Sequence, residues 1–139
     1  ALDYSDVVIC CGGGGIPVVI EKDGMLKGVE AVIDKDYTSS LIASVVEADV
    51  FAITTDVPNV AINYGTEREE LLYEIDNLSL RRLYDSGEFP EGSMGPKVNA
   101  GLNFVEGADG RKSIITNARL LKQGIEGKAG TIITRTIDN

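Results

Sequence analysis

The spacing of apolar residues changes several times along the chain, and each change predicts an element. Residues 7–10, "VVIC", are apolar at every position, which predicts a strand, Val7–Cys10, buried on both faces. It leads into four consecutive glycines. "IPVVIEKDGMLKGVEAVI" then reads as β-rich, with Asp23-Gly24 supplying a turn between its halves. In "DKDYTSSLIASVVEAD" the period lengthens: Leu41, Ile42, Val45 and Val46 form one apolar helical face, and Asp34 and Asp36 sit at the start that favours negative charge. "VFAITTDV" predicts another buried strand ending at polar Thr55 and Asp56, and "VAINY" a short strand after the Pro58-Asn59 turn.

"TEREELLYEIDNLSLRRLYDSGE" is a charged stretch that predicts surface structure with short helices. After "FPEGSMGPK", Val98, Leu102 and Val105 recur at i, i+4 and i+7, the signature of a helix. "RKSIITN" predicts a core strand, "ARLLKQGIEG" a short helix closed by Gly127, and "GTIITRT" a last strand. Strands alternating with helices imply an α/β layer architecture with a largely parallel sheet. Neither a repeat nor a low-complexity linker interrupts the 139 residues, so residues 1–139 read as a single domain.

Composition narrows the chemistry. With 43% hydrophobic and 25% charged residues the chain should fold and stay soluble. Its longest apolar stretch is broken by glycines and too short to span a bilayer. "ALDYSD" carries two aspartates and no basic cluster, so no signal peptide is predicted and the expected location is cytoplasmic, with no membrane partner. A net charge of −9 repels phosphate backbones and argues against nucleic acid. Any bound phosphate must be drawn in by particular lysines and backbone N–H groups. The absence of histidine removes the commonest general base and metal ligand, leaving lysine, aspartate or a divalent ion on oxygen ligands. Cys10 and Cys11 are neighbours whose side chains would point to opposite faces of a strand; they read as small buried hydrophobes in a reducing compartment, with no zinc spacing.

The glycines, Gly12, Gly13, Gly14 and Gly15, invite comparison with the dinucleotide fingerprint G-x-G-x-x-G. Counting from Gly12 the sixth position is Pro17, and from Gly13 it is Val18. The following "IPVVIEKDG" is also a poor helix, so no helix N-terminus awaits a pyrophosphate. Two readings stay open: a loop whose N–H groups approach a small anion, or a turn that needs positive φ.

Three further stretches each carry two readings. Lys35, between Asp34 and Asp36, can support a transferring phosphoryl group with Asp36 orienting lysines, or Asp36 can simply cap the helix. In "EGSMGPKV", Lys97 at the first turn of a helix makes an anion site with nearby N–H groups, or is a solvated helix-start lysine. It is not a Walker A loop, because Val98 stands where Ser or Thr would follow the lysine. Thr55 and Asp56 end a strand at the sheet's ligand edge, with Val60, Asn63 and Tyr64 as walls for a base, or they form an ordinary turn.

Taken together, "CGGGGIPV", "GVEAVIDKDYTSSLIA", "TDVPNVAINYG", "GSMGPKV" and "GKAGT" resemble the carbamate kinases of the amino-acid kinase fold, in the family's order and across nearly the whole chain. The resemblance implies a three-layer α/β sandwich with a largely parallel sheet. It also implies reversible phosphoryl transfer between ATP and carbamate, with carbamoyl phosphate and ADP yielding ATP in arginine fermentation. Carried onto this sequence, Lys35 and Lys97 would contact the transferring or terminal phosphates and Asp36 would organise the lysines. Gly12–Gly15 would lie beside the small substrate. Thr55, Asp56, Val60, Asn63, Tyr64, Met94, Gly95 and Pro96 would form the nucleotide side. ATP or ADP would arrive with Mg2+ held mainly by its phosphates, with no metal ligand on the protein. Phosphoryl transfer relies on positioning and charge neutralisation, so a chain without histidine can serve it.

The matching stretches correspond to the carboxyl-terminal, nucleotide-binding half of that family. Its amino-terminal half, with a "GGNA"-type glycine loop and another lysine, has no counterpart here. The expected partners are therefore the missing amino-terminal half and, for the full enzyme, a second copy in a homodimer. The alternative is an isolated adenine-nucleotide-binding or interaction module without turnover.

Overall fold

The computed structural model describes residues 7–10 and 12–136; the reading of Cys11 falls outside the described residues. Strands β1 (Val18–Ile20) and β2 (Leu26–Gly28) form an antiparallel ribbon around the Asp23-Gly24 turn. Helix α1 (Lys35–Val45) leads to β3 (Val50–Thr55). The short strands β4 (Ala61–Ile62) and β5 (Glu70–Leu71) pair with each other. β6 (Glu74–Asp76) runs into α2 (Asn77–Asp85), followed by α3 (Met94–Glu106), β7 (Lys112–Asn117), α4 (Leu121–Ile125) and β8 (Thr131–Thr134).

The main sheet has the order β3-β7-β8-β6. β3 with β7 and β6 with β8 are parallel, while β7 and β8 run antiparallel. Mixed sheets that keep mostly parallel pairs are a common α/β solution. Alternation along β7 separates the two faces. On the first, a Cβ added to Gly101 of α3 would sit 2.9 Å from Ser113 Oγ and 3.0 Å from Ile133 Cδ1. On the second, one added to Gly124 of α4 would sit 3.1 Å from Ile114 Cγ2. Helices α3 and α4 therefore cover opposite faces, and the expected three layers are present.

The core lies on the α3 side. Val98, Leu102 and Val105, the residues whose spacing predicts the helix, are fully buried with Phe104, Leu80, Ile115 and Ile133. Phe51 and Phe104 meet with tilted rings, centroids 5.5 Å apart. Each such side chain contributes about 1.5–3 kcal/mol through burial. No helix among the described residues is long and apolar enough to cross a membrane.

Four expectations are corrected. Val7–Cys10 is not a buried strand: Val7 is 79% and Ile9 97% exposed, and Cys10 is exposed too. A strand hidden on both faces needs hydrogen-bonded neighbours and two covering layers, and among the described residues nothing pairs with this run. The apolar face of α1 is also not its buried face, since Leu41 and Val45 are largely exposed. The helix instead buries Asp36 and Ser40, because α3 grips it there: Ser40 Oγ donates to the carbonyl of Ala100 at 2.8 Å. The helix cap is Asp34, whose Oδ1 accepts from the Asp36 amide at 2.7 Å, so Asp36 is not the cap. The charged 66–88 stretch, expected to be helical surface, also supplies β6 to the main sheet.

Candidate functional site

The site sits beyond the end of β3, where the chain is pinned by side chains from neighbouring strands. Thr116 on β7 donates to the carbonyl of Pro58 at 3.0 Å. Thr131, fully buried at the start of β8, accepts from the amide of Val60 at 2.9 Å and donates to the carbonyl of Leu72. Asn59 reaches the same carbonyl at 2.9 Å. Buried polar groups satisfied in this way fix a loop in one conformation.

Across from this loop, α1 and α3 present their first turns. With Asp34 acting as the cap, the Asp36 carboxylate is free to face α3, where Lys97 Nζ donates to its Oδ2 at 2.8 Å. Both side chains are largely buried, at 10% and 15% exposure. A lysine held in low dielectric by one carboxylate is a positioned cation. The start of α3 is set by a tight turn in which Pro90 accepts from the amide of Gly95 at 2.9 Å. A Cβ at Gly95 would lie 2.9 Å from that same carbonyl oxygen, so the turn requires glycine.

Behind the ion pair, a polar network ties three helices together. Asn99 donates to the Tyr37 hydroxyl and accepts from Arg81, both at 2.9 Å, while Arg81 holds Glu106 with two nitrogens. Burial pushes the Tyr84 phenol up, and its hydrogen bond with Tyr37 adds to the shift. The network fixes the relative rotation of α1 and α3, and hence the approach of Lys97 to Asp36.

Between these elements opens a cavity of about 420 Å³. Lys35, Asp36, Thr55, Asp56, Tyr64, Met94, Pro96 and Lys97 all line it, so residues far apart in sequence converge on one cleft. Val60 is fully buried in the core. Gly95 is buried, and its amide is used by the turn to Pro90. Asn63 donates its backbone N–H to Glu88, a wall residue. Gly12–Gly15 is a loop outside the lining; Gly12 and Gly13 are exposed, and Gly14 and Gly15 pack on the start of α1. A Cβ at Gly14 would collide with the carbonyl of Ile33, and one at Gly15 would lie 3.1 Å from Thr38 Oγ1. Glu88, Phe89, Pro90, Asn59 and Ser93 also line the cavity without having been singled out by sequence. Gly87 before "EF" and Pro90 after it mark a turn there, but do not tell which way Glu88 faces.

Lysines at the starts of two helices suit the cavity to phosphate, and Tyr64, Phe89, Met94 and Ala61 suit it to a flat apolar group. The chain as a whole is similar to known proteins. The Amino acid kinase family model matches residues 1–117. A carbamate kinase of Pyrococcus furiosus is 49% identical over 125 residues, covering 90% of this chain and 39% of that protein. Carbamate kinase 2 of Staphylococcus aureus is 44% identical over 131 residues, covering 94% of this chain and 42% of the relative. Among solved structures, a Giardia carbamate kinase matches with TM-score 0.87 and 40% identity over 97% of this chain and 46% of that one. The Giardia lamblia enzyme bound to AMP-PNP matches with TM-score 0.83 and 42% identity, over 89% of this chain and 43% of that one. The chain thus spans about two-fifths of the length of the curated relatives it matches. It belongs to the amino acid kinase family.

Proposed function

We propose that this chain is the nucleotide-binding part of a carbamate kinase, an enzyme that moves a phosphoryl group reversibly between ATP and carbamate. The observation that carries the reading is the Lys97–Asp36 pair, buried at the meeting of two helix starts and open to the cavity. The names of the relatives and the AMP-PNP complex of the Giardia lamblia enzyme support it.

In this reading Lys97 and Lys35 take the terminal phosphates, and Asp36 holds Lys97 in place. Thr55, Asp56, Tyr64, Met94 and Pro96 form the nucleotide wall, which Val60, Asn63 and Gly95 support from behind. The Gly12–Gly15 loop lies toward the small substrate. The carbamate oxyanion forms a bond to the γ-phosphorus as the bond to the ADP oxygen breaks, and no protein base is needed. In the ATP-forming direction, that of arginine fermentation, carbamoyl phosphate gives its phosphoryl group to ADP.

Among the described residues no group of three or more acidic, cysteine or histidine side chains is placed to hold a metal ion. The cavity nevertheless carries four carboxylates, Asp34, Asp36, Asp56 and Glu88, against two lysines. That surplus fits Mg2+ arriving on the nucleotide phosphates, where it would neutralise charge. The remainder of the enzyme is the natural partner, supplying the facing wall of the cleft. Homodimer formation and a cytoplasmic setting complete the proposal. The second reading, a nucleotide-binding or interaction module without turnover, is favoured by the exposure of Val7, Ile9, Ile16, Ile20, Met25 and Val32.

The test is ATP formation from carbamoyl phosphate and ADP. The 139-residue chain alone should bind ADP weakly and turn over little or not at all. Joined to the remainder it should be active, and Lys97→Ala should then lose about 10²–10³-fold in kcat. Turnover of that variant within about twofold of the parent (~0.4 kcal/mol) would make Lys97 a structural helix-start residue.

A further inference from the structure

Among the carboxylates of the cavity, Glu88 neither caps α1, as Asp34 does, nor holds a lysine, as Asp36 does. Glu88 lies after α2 on the loop to α3, is half-buried, and lines the cavity. Its Oε1 accepts from the backbone N–H of Asn63, a residue in the left-handed region at φ 52°. This contact orients the carboxylate and leaves Oε2 free.

The links of Glu88 to two functional zones are informative. Through Asn63 it is fastened next to Tyr64, whose ring is an exposed wall suited to a nucleobase. Along the chain it lies two residues before Pro90, whose carbonyl oxygen sets the first turn of α3, the turn that presents Lys97. Glu88 therefore lines the same cavity as the aromatic wall and the lysines, tied to the loop of the one and leading along the chain to the turn of the other, so a nucleotide that spans the two would carry its sugar past this loop. A carboxylate repels phosphate, so the part of the nucleotide itself that suits it is uncharged and rich in donors. A vicinal diol meets both needs, since its O–H groups can donate to one carboxylate.

We infer that Glu88 is a specificity-determining residue that accepts a hydrogen bond from the ribose hydroxyls of the bound nucleotide, selecting ribonucleoside over 2′-deoxyribonucleoside diphosphates. The inference rests on the nucleotide-site reading above and assigns the sugar recognition within it. Its sequence context gives no hint, because a glutamate in a charged run reads as solvated surface.

The substitution Glu88→Gln isolates the role. The amide oxygen of glutamine can still accept from Asn63, so the loop keeps its anchor, while the free acceptor becomes an NH2 group. Calorimetric titration of the chain with ADP, 2′-deoxy-ADP and inosine diphosphate provides the readout. Wild type should prefer ADP to 2′-deoxy-ADP by about tenfold or more. In Glu88→Gln that ratio should fall to within about twofold, with the ratio of ADP to inosine diphosphate unchanged. An unaltered sugar preference in the variant would overturn the inference, as would a loss confined to the inosine ratio, which would assign Glu88 to the base amine. A wild type that binds ADP and 2′-deoxy-ADP equally overturns it without any variant. Failure to bind any of the three nucleotides would instead defeat the nucleotide-site reading itself.

Discussion

Ile20 and Ile133 are the same residue, each in a short strand, yet Ile20 is 75% exposed and Ile133 fully buried. Ile133 lies in a four-stranded sheet and is covered by α3 at Gly101. Ile20 lies in a two-stranded ribbon with nothing over it, and a lone ribbon is marginal in water. The contrast extends to whole regions. The whole buried apolar core comes from β3 onward, even though Leu78 and Ile125 there are exposed, whereas Ile9, Ile16, Ile20, Met25, Leu26 and Val32 all stay open. Local apolar pattern decides what a segment can form; a facing layer decides whether its side chains are buried.

The largest effect expected from this contrast is at Phe104. Its side chain is fully buried against Phe51 and under the Arg111 guanidinium, whose carbon lies 4.8 Å from the ring centroid. Phe104→Ala should cost about 3–5 kcal/mol, read as a lowered urea midpoint. A loss below about 1 kcal/mol would mean that the core around α3 is looser than its burial implies.

Next comes the turn that starts α3. Gly95→Ala should destabilise by about 1–3 kcal/mol, because the added methyl meets a carbonyl oxygen that cannot swing aside. The control is Gly92→Ala, where an added Cβ meets nothing within 4 Å. The same unfolding measurement should separate the two, and equal losses would show that helix start to be plastic. ADP affinity of Gly95→Ala should fall with stability, since Met94, Pro96 and Lys97 all ride on that turn.

Legibility follows the same division. β3, β7, β8 and α3 were readable because each is long enough for its own period to show and each is covered in the fold. β6 was not, since "EID" carries charge at two of three positions and pairs along one edge of β8. The buried face of α1 is not legible in its apolar spacing because it is chosen by partners about 60 residues away, Lys97 and Ala100. In the site, Lys35, Asp36 and Lys97 stood out through their motifs. Glu88 did not, as its one distinguishing contact is to a backbone amide on another loop.

A smaller effect contrasts two aspartates that each accept from a nearby amide. Asp76 caps α2, accepting from Ser79 N at 2.9 Å, whereas Asp23 accepts from Met25 N at 3.0 Å in the exposed ribbon. The backbone and then the side-chain hydrogen bond of Ser79 hold the Asp76 carboxyl below its ordinary value. A carboxyl lowered by folding contributes stability that is fully present above its unfolded pKa and is lost as pH falls through the folded one. For Asp76 that loss should begin below about pH 4–5. Asp76→Ala should cost about 1 kcal/mol at neutral pH and flatten the acid limb of the stability curve. The same change at Asp23 should leave stability at neutral pH within about 0.5 kcal/mol of wild type. An acid limb unchanged in Asp76→Ala would place the pH sensitivity elsewhere.

The smallest effect on stability tests the exposed region most directly. Ile20→Ser removes apolar surface that the folded chain already leaves in water, so the unfolding free energy should move by less than about 0.5 kcal/mol. Association should respond where stability does not. Contiguous exposed apolar surface promotes contact between copies, and Val18, Ile20 and Leu26 share one face of the paired strands. Sedimentation of Ile20→Ser should therefore show less self-association than wild type at equal concentration. If the substitution instead destabilised the chain by more than about 1 kcal/mol, Ile20 would have to be buried in the folded state. The division between a covered core and an uncovered amino-terminal stretch would then be wrong at its clearest point.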